Sequence, residues 1–298
     1  MITYDYSTLD DESLAELLYL CEDRLELAAA QEAARRPSLV PILAQIVMNK
    51  QSWLAELPEW WAVVHATYIL GHNGSEAVVT PLLTVLRWAD AFDCDWVTEL
   101  LPSIFRRVGP PMIPGLTAVA RDPAAGWSAR DLAMKGLAAI TCDHPQSEHH
   151  VFRIIGQRFM DESEDRPVRQ FAGQILLDFR RREYHMALLK FAREELALRE
   201  RDIWYPAGFD PDEVEWILRQ PEPELWHYQE DWMRFYQPAE IQRRQKRWAR
   251  ERMNNSRPGP SPKEQPAGGG RVISFWRKGK KPDPPLAPTP GDHDTNKD

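Results

Sequence analysis

A proline recurs at one place in a repeated apolar frame along this chain. The three copies are Val40-Pro41-Ile42-Leu43, Thr80-Pro81-Leu82-Leu83 and Ile113-Pro114-Gly115-Leu116. The prolines are 40 and 33 residues apart, and helical-pair repeats have periods of roughly 33 to 47 residues. Because proline fits the first turn of a helix and is excluded from its interior, each copy predicts the start of a second helix that packs back on the helix before it. The spacing predicts an all-α fold, an α-solenoid of helical pairs.

Apolar spacing and composition divide the chain into four regions. Residues 1–36 are predicted to form one N-terminal helix that caps the solenoid, and residues 37–200 the helical pairs. Residues 201–253 are rich in aromatic side chains and are predicted to form helices that cover the apolar end of the last pair. Residues 254–298 are rich in proline, glycine and basic residues, a composition that predicts a disordered tail.

The second region resembles a known repeat. The segment Trp61–Gly71, followed by Glu76-Ala77 and Thr80-Pro81-Leu82-Leu83, looks like a HEAT repeat of the type named after phycobilisome lyases. Later units are similar, with Glu99-Leu100-Leu101-Pro102, Val108-Gly109-Pro110, Pro114-Gly115-Leu116, Asp122-Pro123, Trp127-Ser128-Ala129-Arg130-Asp131, Ala133, Leu137 and Ile140. The resemblance covers roughly residues 37–200.

The chain is also similar to a group of uncharacterised bacterial HEAT-repeat proteins that often end in a cysteine-rich SEC-C zinc motif. Here no cysteine follows Cys142, so that motif is absent and no zinc site is expected. The resemblance implies a binding surface. The name of the repeat alone implies a further alternative, an enzyme of the bilin-lyase type.

The net charge and the positions of the cysteines limit the classes of function that this chain can have. The net charge of −8 argues against nucleic-acid binding by the repeats, although basic residues crowd the segment from Arg243 to Arg252 and the tail. The three cysteines are widely separated, which favours a reducing cytoplasm over a disulfide framework. The chain opens without a signal peptide, and no apolar run is long enough to cross a membrane. We expect a cytoplasmic monomer.

No catalytic, cofactor-binding or metal-ligating residues are predicted. His149 and His150 are adjacent on a predicted helix and point in different directions, so they do not form a zinc pair. The cysteines and His65 lie in apolar helical surroundings typical of core positions. Trp61, Trp96 and Trp127 lie near the starts of first helices, where they favour packing between repeats over a stacking surface for DNA bases.

These observations predict a scaffold that binds a protein partner without catalysis. One candidate surface lies on the second helices, and its residues are Arg87, Trp88, Asp90 and Arg121. The other lies in the tail, where apolar residues precede a cationic cluster, a pattern typical of docking peptides. Its residues are Val272, Ile273, Phe275, Trp276, Arg277 and Lys278. The alternative function is binding to nucleic acid or another anionic surface through the basic C-terminal helix and tail.

Overall fold

A computed structural model describes residues 4–201 and 208–255 of the chain. These residues form helices, turns and connecting loops without any strand, which confirms the all-α prediction. The α-helices, in chain order, are α1 (Asp11–Leu20), α2 (Leu27–Arg35), α3 (Val40–Met48), α4 (Lys50–Leu54), α5 (Trp61–Asn73), α6 (Val79–Ala91), α7 (Asp95–Thr98), α8 (Leu101–Val108), α9 (Ile113–Arg121), α10 (Gly126–Asp143), α11 (Glu148–Met160), α12 (Arg166–Asp178), α13 (His185–Arg201), α14 (Pro211–Arg219) and α15 (Pro238–Asn255). A boundary between two compact units falls after Arg247, and the packing described below belongs to the first unit.

The same local structure recurs five times along the described chain. A one-turn 3-10 helix leads directly into the second helix of each pair. The five turns are Pro37–Leu39 before α3, Glu76–Val78 before α6, Pro110–Met112 before α9, Pro145–Ser147 before α11 and Arg182–Tyr184 before α13. Their first residues are 39, 34, 35 and 37 residues apart. The unit at 146–160 lacks the proline of the first three copies, yet it keeps the turn, with Pro145 at its start.

First helices pack on first helices. Along the chain, α2 contacts α5, α5 contacts α8, α8 contacts α10, and α10 contacts α12. Among second helices, α3 contacts α6 and α6 contacts α9. Helix α5 is buried on every side from Trp61 to Gly71, as expected of a helix that has no polar face. The left-handed Gly74 (φ 66°) ends it, and the Gly74 N–H donates to the Leu70 carbonyl.

The N-terminal region differs from the prediction of one helix over residues 1–36. Asp10 does cap a helix, because its Oδ1 accepts a hydrogen bond from the Ser13 N–H at 2.8 Å. However, that helix is α1, which ends at Leu20, and a turn precedes α2. Glu22 within this turn has a left-handed backbone (φ 53°), which a continuous α-helix does not allow. Residues 1–36 therefore form two helices, α1 and α2. The second helix α3 was predicted to pack back on the helix before it, but it packs mainly on α5, the helix that follows.

The C-terminal region also differs from its prediction. Asp210 caps α14, with its Oδ1 2.9 Å from the Glu213 N–H, and α14 packs on α12 and α13 as a cover of the last pair. The residues after α14 continue beyond the last pair. Residues 226–247, which we call the C-terminal strap, return along the earlier helices instead of covering the end of the last pair. The predicted disordered tail lies outside the described residues from 256 onward.

Candidate functional site

The C-terminal strap crosses the helices in reverse chain order. The Tyr228 hydroxyl donates to Asp178 Oδ2 at the end of α12 (2.8 Å). The Glu230 N–H donates to Ser103 Oγ on α8 (2.9 Å). Trp232 Nε1 donates to the Tyr68 carbonyl on α5 (3.0 Å). These bonds join residues far apart in sequence, so the strap ties the last described pair to the earlier ones.

An aromatic cluster forms where the strap meets α5. The Phe235 ring lies 5.4 Å from the ring of Tyr68, 6.0 Å from that of Trp61 and 5.9 Å from that of Trp96. Most of these ring pairs meet edge to face, the arrangement that aromatic rings favour. Trp61 and Trp96 therefore serve packing, as the sequence predicted. Trp127 differs, because it is half-exposed and stacks on Phe171.

His65 lies beneath the strap, fully buried on α5. Its Nε2 is 2.6 Å from the Glu22 carbonyl oxygen, which can only accept, so Nε2 carries the hydrogen. Its Nδ1, 3.1 Å from the Tyr236 hydroxyl, then accepts the hydrogen bond from Tyr236. Burial lowers the pKa of His65 to about 4. The neutral imidazole thus joins the strap, α5 and the turn after α1.

Acid should loosen this junction. Because the pKa of His65 is about 4 in the folded chain and ordinarily 6.5, its contribution is complete above pH 6.5 and is lost as pH falls toward 4. The expected loss in the free energy of unfolding is about 3 kcal/mol. Urea unfolding at a series of pH values measures it. The variant His65→Gln should lose less stability over this interval than the original chain, and identical pH profiles for the two chains would contradict the assignment.

A buried ion pair anchors the end of the strap. Arg244 Nη2 donates to the Asp23 carbonyl (2.7 Å), and its Nε donates to Asp23 Oδ2 (3.3 Å). The Arg244 guanidinium also lies 3.7 Å from the centre of the Phe235 ring, a cation–π contact. Gln245 Nε2 adds a bond to Asp23 Oδ1 (2.8 Å). Arg244 therefore serves the fold and does not belong to an exposed basic surface.

Four of the predicted partner-binding residues lie on α6 and α9, on a surface that we call the second-helix face. Arg87 is half-exposed, and its Nη2 is 4.0 Å from Asp122 Oδ2. Asp122 directly follows Arg121 in the sequence. Arg121 is exposed and donates through Nη2 to Gln157 Oε1 (3.4 Å). Arg87 thus contacts the end of α9, whereas the Arg121 side chain extends to α11. Such long, exposed pairs contribute little to stability, so both guanidinium groups remain available to a partner.

Trp88 provides an apolar side chain on this face, and neighbouring rings hold it in place. Its ring is half-buried and meets Trp53 edge to face at 6.2 Å and Phe92 at 6.4 Å. The Trp53 Nε1–H donates to the Val47 carbonyl at 2.9 Å, which fixes the cluster. Asp90 is also half-buried on α6. The structure thus places Arg87, Trp88 and Asp90 on one helix and Arg121 on its neighbour.

Groups considered for chemistry serve other roles in the described part of the chain. Burial raises the pKa of the Cys94 thiol to about 12, which makes it an unreactive core residue. His149 and His150 are exposed. Within residues 4–201 and 208–255, no three His, Cys, Asp or Glu side chains are grouped so that they could hold a metal ion. The candidate docking peptide lies outside the described residues, with Val272, Ile273, Phe275, Trp276, Arg277 and Lys278.

The sequence prediction missed the residues of the strap, although one signal pointed to them. Between Trp61 and Gly71 only His65 and Thr67 are polar, so a helix formed there needs apolar cover on all sides. The aromatic residues that supply this cover lie about 170 residues later, as the bond between His65 and Tyr236 shows. Single-sequence periodicity does not connect segments so far apart.

Comparison with known proteins identified no relative of this chain. No family model, no curated protein and no solved structure matches the chain. Across the described residues, none of the helices has the length and apolar character needed to cross a membrane.

Proposed function

We propose that this chain is a non-catalytic scaffold, a HEAT-like α-solenoid that binds a protein partner through the second-helix face. The five turn-plus-helix units at intervals of 34 to 39 residues support the repeat assignment. The packing of first helices on first helices agrees with it. The three unpaired cysteines agree with a cytoplasmic location.

The choice of this surface rests on one observation, which is that the strap covers first helices while side chains on the second helices α6 and α9 stay exposed. The strap lies on α5 and α8 and buries Tyr68, His65 and Ser103 there. On α6 and α9, Arg87 and Arg121 stay exposed beside the half-buried Trp88. Arginine and tryptophan are enriched among residues that dominate protein interfaces. A partner therefore meets the second-helix face without displacing any part of the fold.

Charge reversal tests this surface. We expect the double variant Arg87→Glu with Arg121→Glu to reduce capture of the partner by at least tenfold, because like charges placed in an interface are strongly unfavourable. The matched control is Arg35→Glu with Lys50→Glu, which changes the net charge equally at two exposed residues on α2 and α4. Immobilised full-length chains are incubated with native cytosol, and captured proteins are quantified.

The comparison between the two variants decides the outcome. A protein that the original chain and the control capture equally, and that the α6/α9 variant loses, supports the proposal. Equal capture by all three chains, or equal loss in both variants, would contradict it.

A second candidate is binding to nucleic acid or phospholipid through the basic end of α15. Arg243 and Lys246 are exposed there and favour it, whereas Arg244 is used inside the fold. Such binding would weaken steeply with added salt and would fail in Arg243→Glu with Lys246→Glu. We do not propose the bilin-lyase activity, because no observation on the described residues supports it.

A further inference from the structure

A charged cleft lies beside the turn between α12 and α13. Its volume is about 360 Å³. The turn supplies Phe179 and three consecutive arginines, the start of α11 supplies an acidic residue, and the loop after α14 supplies two prolines. The lining residues are Glu148, Phe179, Arg180, Arg181, Arg182, Glu183, Pro221 and Pro223.

Arg181 uses both carboxylates of the cleft. Its Nε donates to Glu183 Oε1 at 2.8 Å, and its Nη1 pairs with Glu148 Oε1. Its guanidinium also lies 4.4 Å from the centre of the Phe152 ring. These contacts fix Arg181 as a wall of the cleft. They leave Arg180 and Arg182 as positive charges that no carboxylate of the lining neutralises.

Arg180 is the unusual member of this group. Its Nε and Nη1 are shielded from solvent and have no hydrogen-bond acceptor among the described residues. A guanidinium stays charged at any physiological pH, and buried charged donors normally have a partner. The backbone of Arg180 is left-handed (φ 50°), and the N–H groups of Arg180 and Arg181 are bound to the carbonyls of Leu177 and Leu176. The fold therefore holds a guanidinium here with two shielded donors that no acceptor among the described residues satisfies.

We propose that the cleft binds a phosphate group, whose negative charge is balanced by Arg180 and Arg182 in the cleft lining. A phosphate monoester carries between one and two negative charges near pH 7, which matches the two unneutralised arginines. Arginine is well suited to phosphate oxygens because its donors are fixed in a plane. Phe179, Pro221 and Pro223 add apolar surface to the lining of the cleft. These apolar residues favour a phosphate group carried on a peptide side chain over a free phosphate ion.

Calorimetric titration of the full chain at low salt tests the site. The probes are capped phosphoserine, inorganic phosphate, capped serine and capped glutamate. We expect capped phosphoserine to bind, Arg180→Gln to weaken it at least tenfold, and Arg182→Gln to weaken it severalfold. The control Arg199→Gln, at an exposed position on α13, should bind as the original chain does. Thermal unfolding of each variant checks that the fold is kept, and Arg182→Gln serves if Arg180→Gln does not fold.

The probes separate the possible results. Tighter binding of capped phosphoserine than of inorganic phosphate supports a peptide-borne phosphate, and equal binding supports the free ion as the source. Equal binding of capped glutamate and capped phosphoserine would overturn the choice of phosphate. Absence of binding by the folded original chain, or unchanged binding in both cleft variants, would overturn the site itself.

Discussion

Arg130→Met is expected to lower the free energy of unfolding by about 3 kcal/mol or more. Arg130 on α10 is 1% exposed, and its Nε donates to the Ala120 carbonyl at the end of α9 (3.1 Å). Its Nη2 pairs with the buried Glu164 before α12, which also accepts from Arg158 Nη1 on α11 (2.9 Å). One guanidinium therefore connects elements of three successive pairs.

The cost follows from what the substitution leaves behind. Burial alone would raise the pKa of Glu164, but the hydrogen bond from Arg130 and the nearby positive charges hold it below its ordinary value. Without Arg130, the carboxylate keeps only Arg158 and the Asp165 N–H as partners in a poorly solvated site, and the Ala120 carbonyl loses its donor. Methionine fills much of the volume, so the loss measures the polar network and not a cavity.

Urea unfolding at pH 7, followed by circular dichroism, measures this effect. Arg121→Met is the matched control, because Arg121 also bridges two neighbouring units but is exposed. We expect the control to change stability by less than about 1 kcal/mol. Equal changes in the two variants would show that the buried network is not a main support of the packing between pairs.

Trp232→Ala is expected to cost about 3–5 kcal/mol. Trp232 is 8% exposed at the centre of the C-terminal strap, and its Nε1–H binds the Tyr68 carbonyl. The substitution removes a large apolar side chain from the surface of α5 and deletes this hydrogen bond. Because Phe235 and Tyr236 follow in the same 3-10 turn, loss of Trp232 should also loosen their contacts with Trp61 and His65.

Trp226→Ala is the control, since it makes the same change six residues earlier at a side chain that is 70% exposed. We expect it to alter stability by about 0.5 kcal/mol or less. Chemical unfolding measures both variants, and binding of a hydrophobic dye reports whether α5 becomes uncovered. A small effect of Trp232→Ala, without dye binding, would mean that the strap does not hold α5 closed.

The repeats were predictable because their signals are local. Proline at Pro41, Pro81 and Pro114 marks the first turn of α3, α6 and α9, since each position needs no backbone donor. The later units were predicted from apolar spacing without that proline. In the fourth unit Pro145 begins the 3-10 turn before α11, as Pro37 and Pro110 begin the turns of the first and third units. The break between α1 and α2 was not predictable in the same way, because Asp23 is held there by the distant Arg244.

The candidate surface was predictable only in part. Placing Arg87 and Arg121 on second helices followed from the repeat frame, but their partners did not: Arg87 contacts Asp122 and Arg121 contacts Gln157. The role of Arg244 was mistaken, because a run of basic residues indicates an exposed cationic helix unless a buried acidic partner is known. That partner, Asp23, is 221 residues away in sequence. The cleft at Arg180 was not predictable either, because Pro221 and Pro223 of the loop after α14 line it, and local spacing does not bring that loop to Arg180.

The strap covers α5, and we propose that the second-helix face binds the partner. Hydroxyl-radical footprinting of the tryptophans, with the chain alone and with its captured partner, tests both halves in one measurement. The account predicts that Trp61 and Trp232 are protected in both states, and that the exposed Trp216 reacts in both. Trp88 should react in the chain alone and become protected with the partner. Reaction of Trp232 in the chain alone, or no change at Trp88 on binding, would contradict the account.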